Sequence, residues 1–132
     1  MRGLDTNVLL RLLLADDPRQ AARAREWLHA QPRGQKLLIN RIVLCELVWT
    51  LRRGYRFDRE QIAEVIVRLL KSHDMLVEDY DSVVLALDLY RTSDADFADC
   101  LLGVTNRVLG CSATGTFDQD AAELNAFELI PA

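Results

Sequence analysis

The chain has 132 residues, half of them hydrophobic, and a formal net charge of −4 from 20 acidic and 16 basic side chains. That is enough apolar material for one compact domain with a substantial core, while no apolar run approaches the roughly 18 residues of a membrane span. Three cysteines without CxxC spacing argue against a disulfide framework and against a thiolate zinc site, and the acidic balance runs against the basic character usual in nucleic-acid binders.

His29 and His73 stand far apart in polar surroundings, so nothing points to Ser–His or Cys–His nucleophilic catalysis. Of the 16 basic residues 14 are arginine, the side chain best suited to planar contacts with phosphate. The opening Met1-Arg2-Gly3-Leu4-Asp5 places an aspartate where a signal peptide would be apolar, which leads to the expectation of a soluble, cytoplasmic protein.

In chain order, residues 2–5 read as a short strand, followed by a helix over Val8–Leu14. Asp16-Asp17-Pro18 restarts the chain, because Asp caps and Pro tolerates a first helical turn, and the next helix is expected to run to about Ala30. Pro32–Gly34 is a turn and Lys36–Asn40 a strand. Ile42–Arg53 is apolar and long enough for a helix, with Gly54 as its stop. Asp58 is a plausible N-cap for Arg59–Lys71, where Ile62, Val65, Ile66 and Leu69 recur at helical spacing.

Met75–Val77 reads as a short strand, and Asp81 as the cap of a helix over Ser82–Tyr90. Ser93–Asp96 is expected to open another helix lasting to about Leu109, with Gly110 as C-cap. Cys111–Thr116 suits a buried strand, Asp118–Leu124 a short helix and Phe127–Ile130 an edge strand. Strands alternating with helices indicate a parallel sheet covered on both faces, in a single α/β domain spanning residues 1–132.

The informative residues are carboxylates set inside or against apolar runs, since removing such a group from water costs several kcal/mol unless it is paired or binds a cation. Asp5 ends the first strand, at the rim where open α/β sheets bind ligands, although it could equally cap the following helix. On a helix, Glu46 has Ile42, Val43, Trp49 and Thr50 as neighbours, so no basic residue shares its face. It must find a cation elsewhere, protonate, or bond to backbone.

Asp96 and Asp99 share a face near a helix start, where the dipole favours both. Capping accounts for Asp96 but poorly for Asp99, which an apolar helix follows directly. Asp118 closes another strand, or caps the turn after it. Asp94, Asp120 and Glu123 read as solvated surface acids.

Acids gathered at one rim of a parallel sheet would repel without a cation, and with only oxygen donors that cation is Mg²⁺ or Mn²⁺, one ion or two, ahead of zinc. The corresponding chemistry is hydrolysis of a phosphate ester by a metal-activated water. The charge argument then changes. Counting Asp5, Glu46, Asp96, Asp99 and Asp118 as ligands or their neighbours moves the net charge from −4 to +1.

Leu4-Asp5-Thr6-Asn7-Val8-Leu9, Glu46 in its apolar helix, Asp96-Phe97-Ala98-Asp99-Cys100-Leu101 and Thr116-Phe117-Asp118 resemble, in order and nearly end to end, the successive motifs of the PIN domain. Within it the chain looks like the VapC-type toxins of bacterial toxin–antitoxin pairs. Each motif alone is weak, whereas the ordered set is specific. The resemblance implies a three-layer α/β/α sandwich with a central, mainly parallel sheet, and Mg²⁺- or Mn²⁺-dependent endonucleolytic cleavage of RNA. It also implies a homodimer and inhibition by a small antitoxin protein.

Carried over residue by residue, the resemblance makes Asp5, Glu46 and Asp99 direct metal ligands and Asp118 the fourth acid. Asp96 becomes an auxiliary acid, and Thr6, Asn7 and Thr116 polar residues beside the site. Arg11, one helical turn past Asn7, is a candidate for substrate contact. Arg52, Arg53, Arg56 and Arg59 around Gly54-Tyr55 read either as a solvated hairpin or as a contact for RNA phosphate or a partner, with Tyr55 and Phe57 available to stack there.

Two other readings remain open on the residues alone. A haloacid-dehalogenase-type phosphatase needs a second Asp two residues after its nucleophile and a late lysine; Asn7 holds the first position, and Lys36 and Lys71 are the only lysines. A non-catalytic module whose acids bind metal to regulate partner binding is the other.

Overall fold

The computed structural model describes residues 1–131, so the last position of the expected 1–132 span lies outside the described residues. Two compact units are present, Met1–Arg56 with Arg68–Glu78, and Phe57–Val67 with Asp79–Ala132.

The first unit contains β1 (Arg2–Gly3), α1 (Thr6–Leu13), α2 (Pro18–His29), β2 (Leu37–Ile39) and α3 (Arg41–Gly54). The end of α4 (Arg59–Lys71) and β3 (Met75–Val77) complete it. Its strands pair in parallel in the order β1-β2-β3, with Gly3 opposite Leu38 and Leu38 opposite Leu76. Parallel pairing needs a crossover, and the amphipathic helices supply it. α1 packs against α2 and α3, burying Leu4, Leu9, Leu10, Leu37, Ile39, Leu44, Leu47 and Leu51.

Strand ends pass directly into capped helices. Asp5 Oδ1 accepts from the Val8 amide at 2.9 Å, and Asn40 Oδ1 accepts from the Val43 amide at 2.9 Å. Asp17 caps α2 through the Gln20 amide, with Pro18 in its first turn. Each satisfies a donor that the first helical turn leaves unpaired.

The second unit holds the start of α4, then α5 (Tyr80–Thr92), α6 (Phe97–Val108), β4 (Thr114–Thr116), α7 (Gln119–Ala122) and β5 (Phe127–Leu129). α5 packs along α6, and Tyr90 meets Phe97 edge to face at 5.8 Å between ring centroids. β4 and β5 form a parallel pair, Gly115 opposite Glu128. The α/β class and the parallel pairing expected from the sequence are both present.

Several boundaries differ from the sequence reading, each for a local reason. Gly54 belongs to α3 rather than stopping it; the chain turns at Arg56, whose φ is +56°. α5 starts earlier than expected, with Asp79 at the N-cap in the left-handed region and Asp81 inside the first turn. α6 starts later, because the Ser93 hydroxyl donates to the Leu89 carbonyl and so closes α5. The last expected buried strand is shorter and half-exposed: Thr114 and Thr116 are partly buried and Gly115 is exposed.

Gly103 of α6 sits where a Cβ would lie 2.7 Å from Phe127 Cε2 and 3.0 Å from Ala126 Cβ. Gly to Ala inside a helix ordinarily gains about 1 kcal/mol. Here the methyl meets a buried ring, and overpacking costs about 1–3 kcal/mol. Gly103→Ala is therefore expected to lower the urea midpoint, by about 1 kcal/mol or more in stability, and a gain would contradict this packing.

Candidate functional site

In the first unit, the cap bond of Asp5 fixes its carboxylate at the start of α1 and occupies Oδ1 only. The capping alternative raised by the sequence is thus realised, yet it leaves Oδ2 without a hydrogen bond among the described residues. One residue on, the Thr6 hydroxyl donates to Glu46 Oε1 at 3.2 Å, which brings the first motif and the α3 glutamate together.

The expectation that Glu46 is buried is not met. α3 buries Val43, Leu44, Leu47, Val48 and Leu51 on one face. Glu46 lies on the other, beside Ile42 and Trp49, which are 66% and 64% exposed. Its apolar neighbours in sequence therefore mark an apolar surface stripe, not a core. No ion pair to Glu46 occurs among the described residues. Asp5, Asp96 and Asp118 are also exposed, so the burial argument survives only for Asp99.

Asn7 and Arg11 belong to a polar network on the same helix. Arg11 Nε donates to Gln20 Oε1 at 2.8 Å, Arg11 Nη2 to Asn7 Oδ1 at 3.3 Å, and Arg11 Nη1 pairs with Asp16 at 2.7 Å. Asp16 also accepts from the Tyr55 hydroxyl. That bond, with Arg11 beside it, holds the Asp16 carboxyl below its ordinary range, while Tyr55 and Asp16 push Arg11 up. A cavity of about 540 Å³ opens between α1 and α2, lined by Asp5, Asn7, Arg11, Gln20, Arg23 and Trp27 among others.

In the second unit Asp96 and Asp118 come within electrostatic reach of Asp99. The Asp99 carboxyl is raised above its ordinary value, first by burial and then by the Asp96 and Asp118 carboxylates. Asp96 occupies the N-cap position of α6 but makes no side-chain cap bond, so the capping explanation offered by the sequence fails and its oxygens stay available. Asp118 does cap: Oδ1 accepts from the amides of Asp120 at 2.8 Å and Ala121 at 3.2 Å. The Thr116 hydroxyl in turn accepts from the Asp118 amide at 3.0 Å.

No basic side chain pairs with these three acids among the described residues. Uncompensated like charge, one member half-buried, and donors that are all oxygen fit a hard divalent cation. Asp94, Asp120 and Glu123, read from sequence as solvated acids, have carboxylate oxygens within 4.8 Å of one another. All three are exposed, and a surface cluster of this kind needs no ion.

The arginine cluster divides. Arg59 is not solvated: its guanidinium donates to the Tyr90 and Ala95 carbonyls and lies 3.8 Å from the Tyr90 ring centroid. The Tyr55 hydroxyl donates to Asp16, which fixes the ring beside α1. Arg52 is partly buried and has a partner, whereas Arg53 and Arg56 are exposed. Burial pushes the Cys100 thiol up to about 11, which leaves it protonated and unreactive at neutral pH.

Gln20, Arg23 and Trp27 escaped the sequence reading, because an ordinary amphipathic helix carries such residues for no special reason. No helix among the described residues is long and apolar enough to cross a membrane.

Comparison with known proteins bears on what this constellation is. The PIN domain model matches residues 4–126. A VapC ribonuclease of Aquifex aeolicus (strain VF5) is 31% identical over 117 residues, covering 89% of this chain and 87% of that protein. With the acidic motifs falling in the matched span, the chain belongs to the PIN-domain family.

Proposed function

We propose that the chain is a metal-dependent endoribonuclease, the toxin of a type II toxin–antitoxin pair. The likeness to a VapC ribonuclease over most of both chains carries this reading. Residues 1–132 act as one nuclease domain, in the cytoplasm, as a homodimer held in check by an antitoxin protein. The phosphatase and regulatory-module alternatives give way to the family match.

Asp5, Glu46, Asp99 and Asp118 are the proposed ligands of Mg²⁺ or Mn²⁺, as one ion or two. When bound, such an ion acidifies a coordinated water and neutralises charge on a phosphodiester oxygen. The protein's own contribution is orientation. The cap bonds of Asp5 and Asp118 lock one oxygen of each carboxylate and aim the other. Thr6 holds Glu46, and Thr116 holds the turn that carries Asp118. Asp96 keeps negative charge beside Asp99, which favours a cation there. Arg53 and Arg56 are proposed to meet RNA phosphate, with Arg52 as support.

The purified chain is expected to cleave RNA in Mg²⁺ or Mn²⁺ and to stop in EDTA, and Asp5→Asn is expected to abolish both cleavage and growth inhibition with the fold retained. Full-rate cleavage in EDTA would reject the metal-dependent mechanism.

A further inference from the structure

We infer that the cleft between α1 and α2 is a subsite for one unpaired nucleotide of the RNA substrate, with the base stacked on Trp27 and a phosphate on Arg23. The inference rests on the ribonuclease reading and assigns that activity two substrate-contacting residues, Trp27 and Arg23, beside the proposed metal ligands. At about 540 Å³ the cavity has the size of a small-molecule site.

Its lining combines two chemistries. Asp5 is among the lining residues, tying the cleft to the proposed metal ligands. So is Trp27, 40% exposed, an indole face of the kind on which any base can stack. Arg23 precedes Trp27 by four residues on α2 and so shares its face. It makes no ion pair or hydrogen bond among the described residues, which leaves its charge for a ligand.

Arg11, by contrast, is neutralised by Asp16 and serves to position amides. It occupies Gln20 Oε1 and Asn7 Oδ1, so the Gln20 NH₂ group is left as a donor, suited to a carbonyl or ring nitrogen of a base. An aromatic face, a free guanidinium and an amide donor, continuous with a carboxylate of the proposed reaction centre, complement a polyanion whose bases are splayed out. Duplex RNA keeps its bases stacked and would not fill the cleft.

The test uses the full chain with Trp49→Phe, which leaves Trp27 as the only indole. A ten-nucleotide single-stranded RNA of mixed sequence, added in EDTA, is expected to quench Trp27 fluorescence saturably, while inorganic polyphosphate, lacking bases, does not. In Mg²⁺, Trp27→Ala is expected to raise KM for that RNA about 5- to 150-fold, the range of one base–aromatic stack, with the loss in KM rather than kcat and partial rescue by Trp27→Phe. Arg23→Gln is expected to raise KM and to flatten its dependence on salt.

A KM within twofold of wild type for Trp27→Ala, in a protein that cleaves normally, overturns the subsite. So does relief from antitoxin inhibition at unchanged KM, which reassigns the cleft to a protein segment. A wild-type chain that cleaves no RNA overturns the ribonuclease reading itself, a result visible without any variant.

Discussion

Asp99→Asn is expected to cost more than 10²-fold in kcat/KM for RNA and, at the same time, to raise the melting temperature of the metal-free protein. The activity loss follows from scale: partners that merely orient a metal ligand are worth about 10- to 100-fold, and a ligand itself is worth more. The stability gain follows from the site. Asp99 is half-buried in the first turn of α6, and its carboxyl is raised by burial, then by Asp96 and Asp118.

The sign is unambiguous. A carboxyl whose pKa is raised on folding binds its proton more tightly in the folded state. Stability contributed by that proton is present at low pH and is lost as pH rises from the unfolded value, about 3.9, through the raised folded one. Asparagine removes the ionised form and its repulsion. Because the group is partly solvated the gain is modest, on the order of 1 kcal/mol or less, or up to a few degrees for a domain of this size. In millimolar Mn²⁺ the order should reverse, since ligand binding at about 100-fold over Kd adds roughly 2.7 kcal/mol to the wild type and less to the variant, which binds the ion more weakly. Calorimetry in EDTA and in Mn²⁺ checks both halves; a variant less stable than wild type in EDTA contradicts the electrostatic account.

Arg59→Ala is expected to carry the largest stability loss, about 2–4 kcal/mol. Two hydrogen bonds from a charged donor contribute roughly 1.5–3 kcal/mol each, and stacking over the Tyr90 face adds about 1 kcal/mol, less whatever water restores to a half-buried site. The residue also bears on the site, because the Ala95 carbonyl it holds directly precedes Asp96. Slackening that loop frees the start of α6, which presents Asp96 and Asp99. Arg59→Lys should recover only part of the loss, as one ammonium cannot hold two carbonyls and stack as well. Urea unfolding measures the effect, and a loss under about 0.5 kcal/mol would show that the contacts are incidental.

Helices and strands were legible where pattern and punctuation agreed. Met75–Val77 falls where its apolar run predicts, and Asp17-Pro18 opens α2 as cap chemistry requires. Boundaries were missed where a side chain was used unexpectedly. Ser93 closes α5 instead of opening α6, and Asp79 adopts a left-handed conformation that leaves Asp81 inside the helix. Among the candidate site residues, expected burial was a poor guide, since Asp5, Glu46, Asp96 and Asp118 are exposed. The run around Glu46 suggested a core, but its helix turns Ile42, Glu46 and Trp49 outward together. Periodicity alone does not say whether a second apolar face is covered. The cleft residues were invisible for another reason: Gln20, Arg23 and Trp27 gain meaning only when α2 lies against α1.

Mn²⁺ binding to the wild type and to three variants, followed by the loss of the free-ion electron paramagnetic resonance signal, tests the metal assignment most directly. Glu46→Gln and Asp99→Asn should each weaken binding at least tenfold, while Asp94→Asn combined with Glu123→Gln should leave it nearly unchanged. Wild-type affinity in the first two, or its loss only in the third, would mean that the ion resides elsewhere and that the motif acids do not hold it.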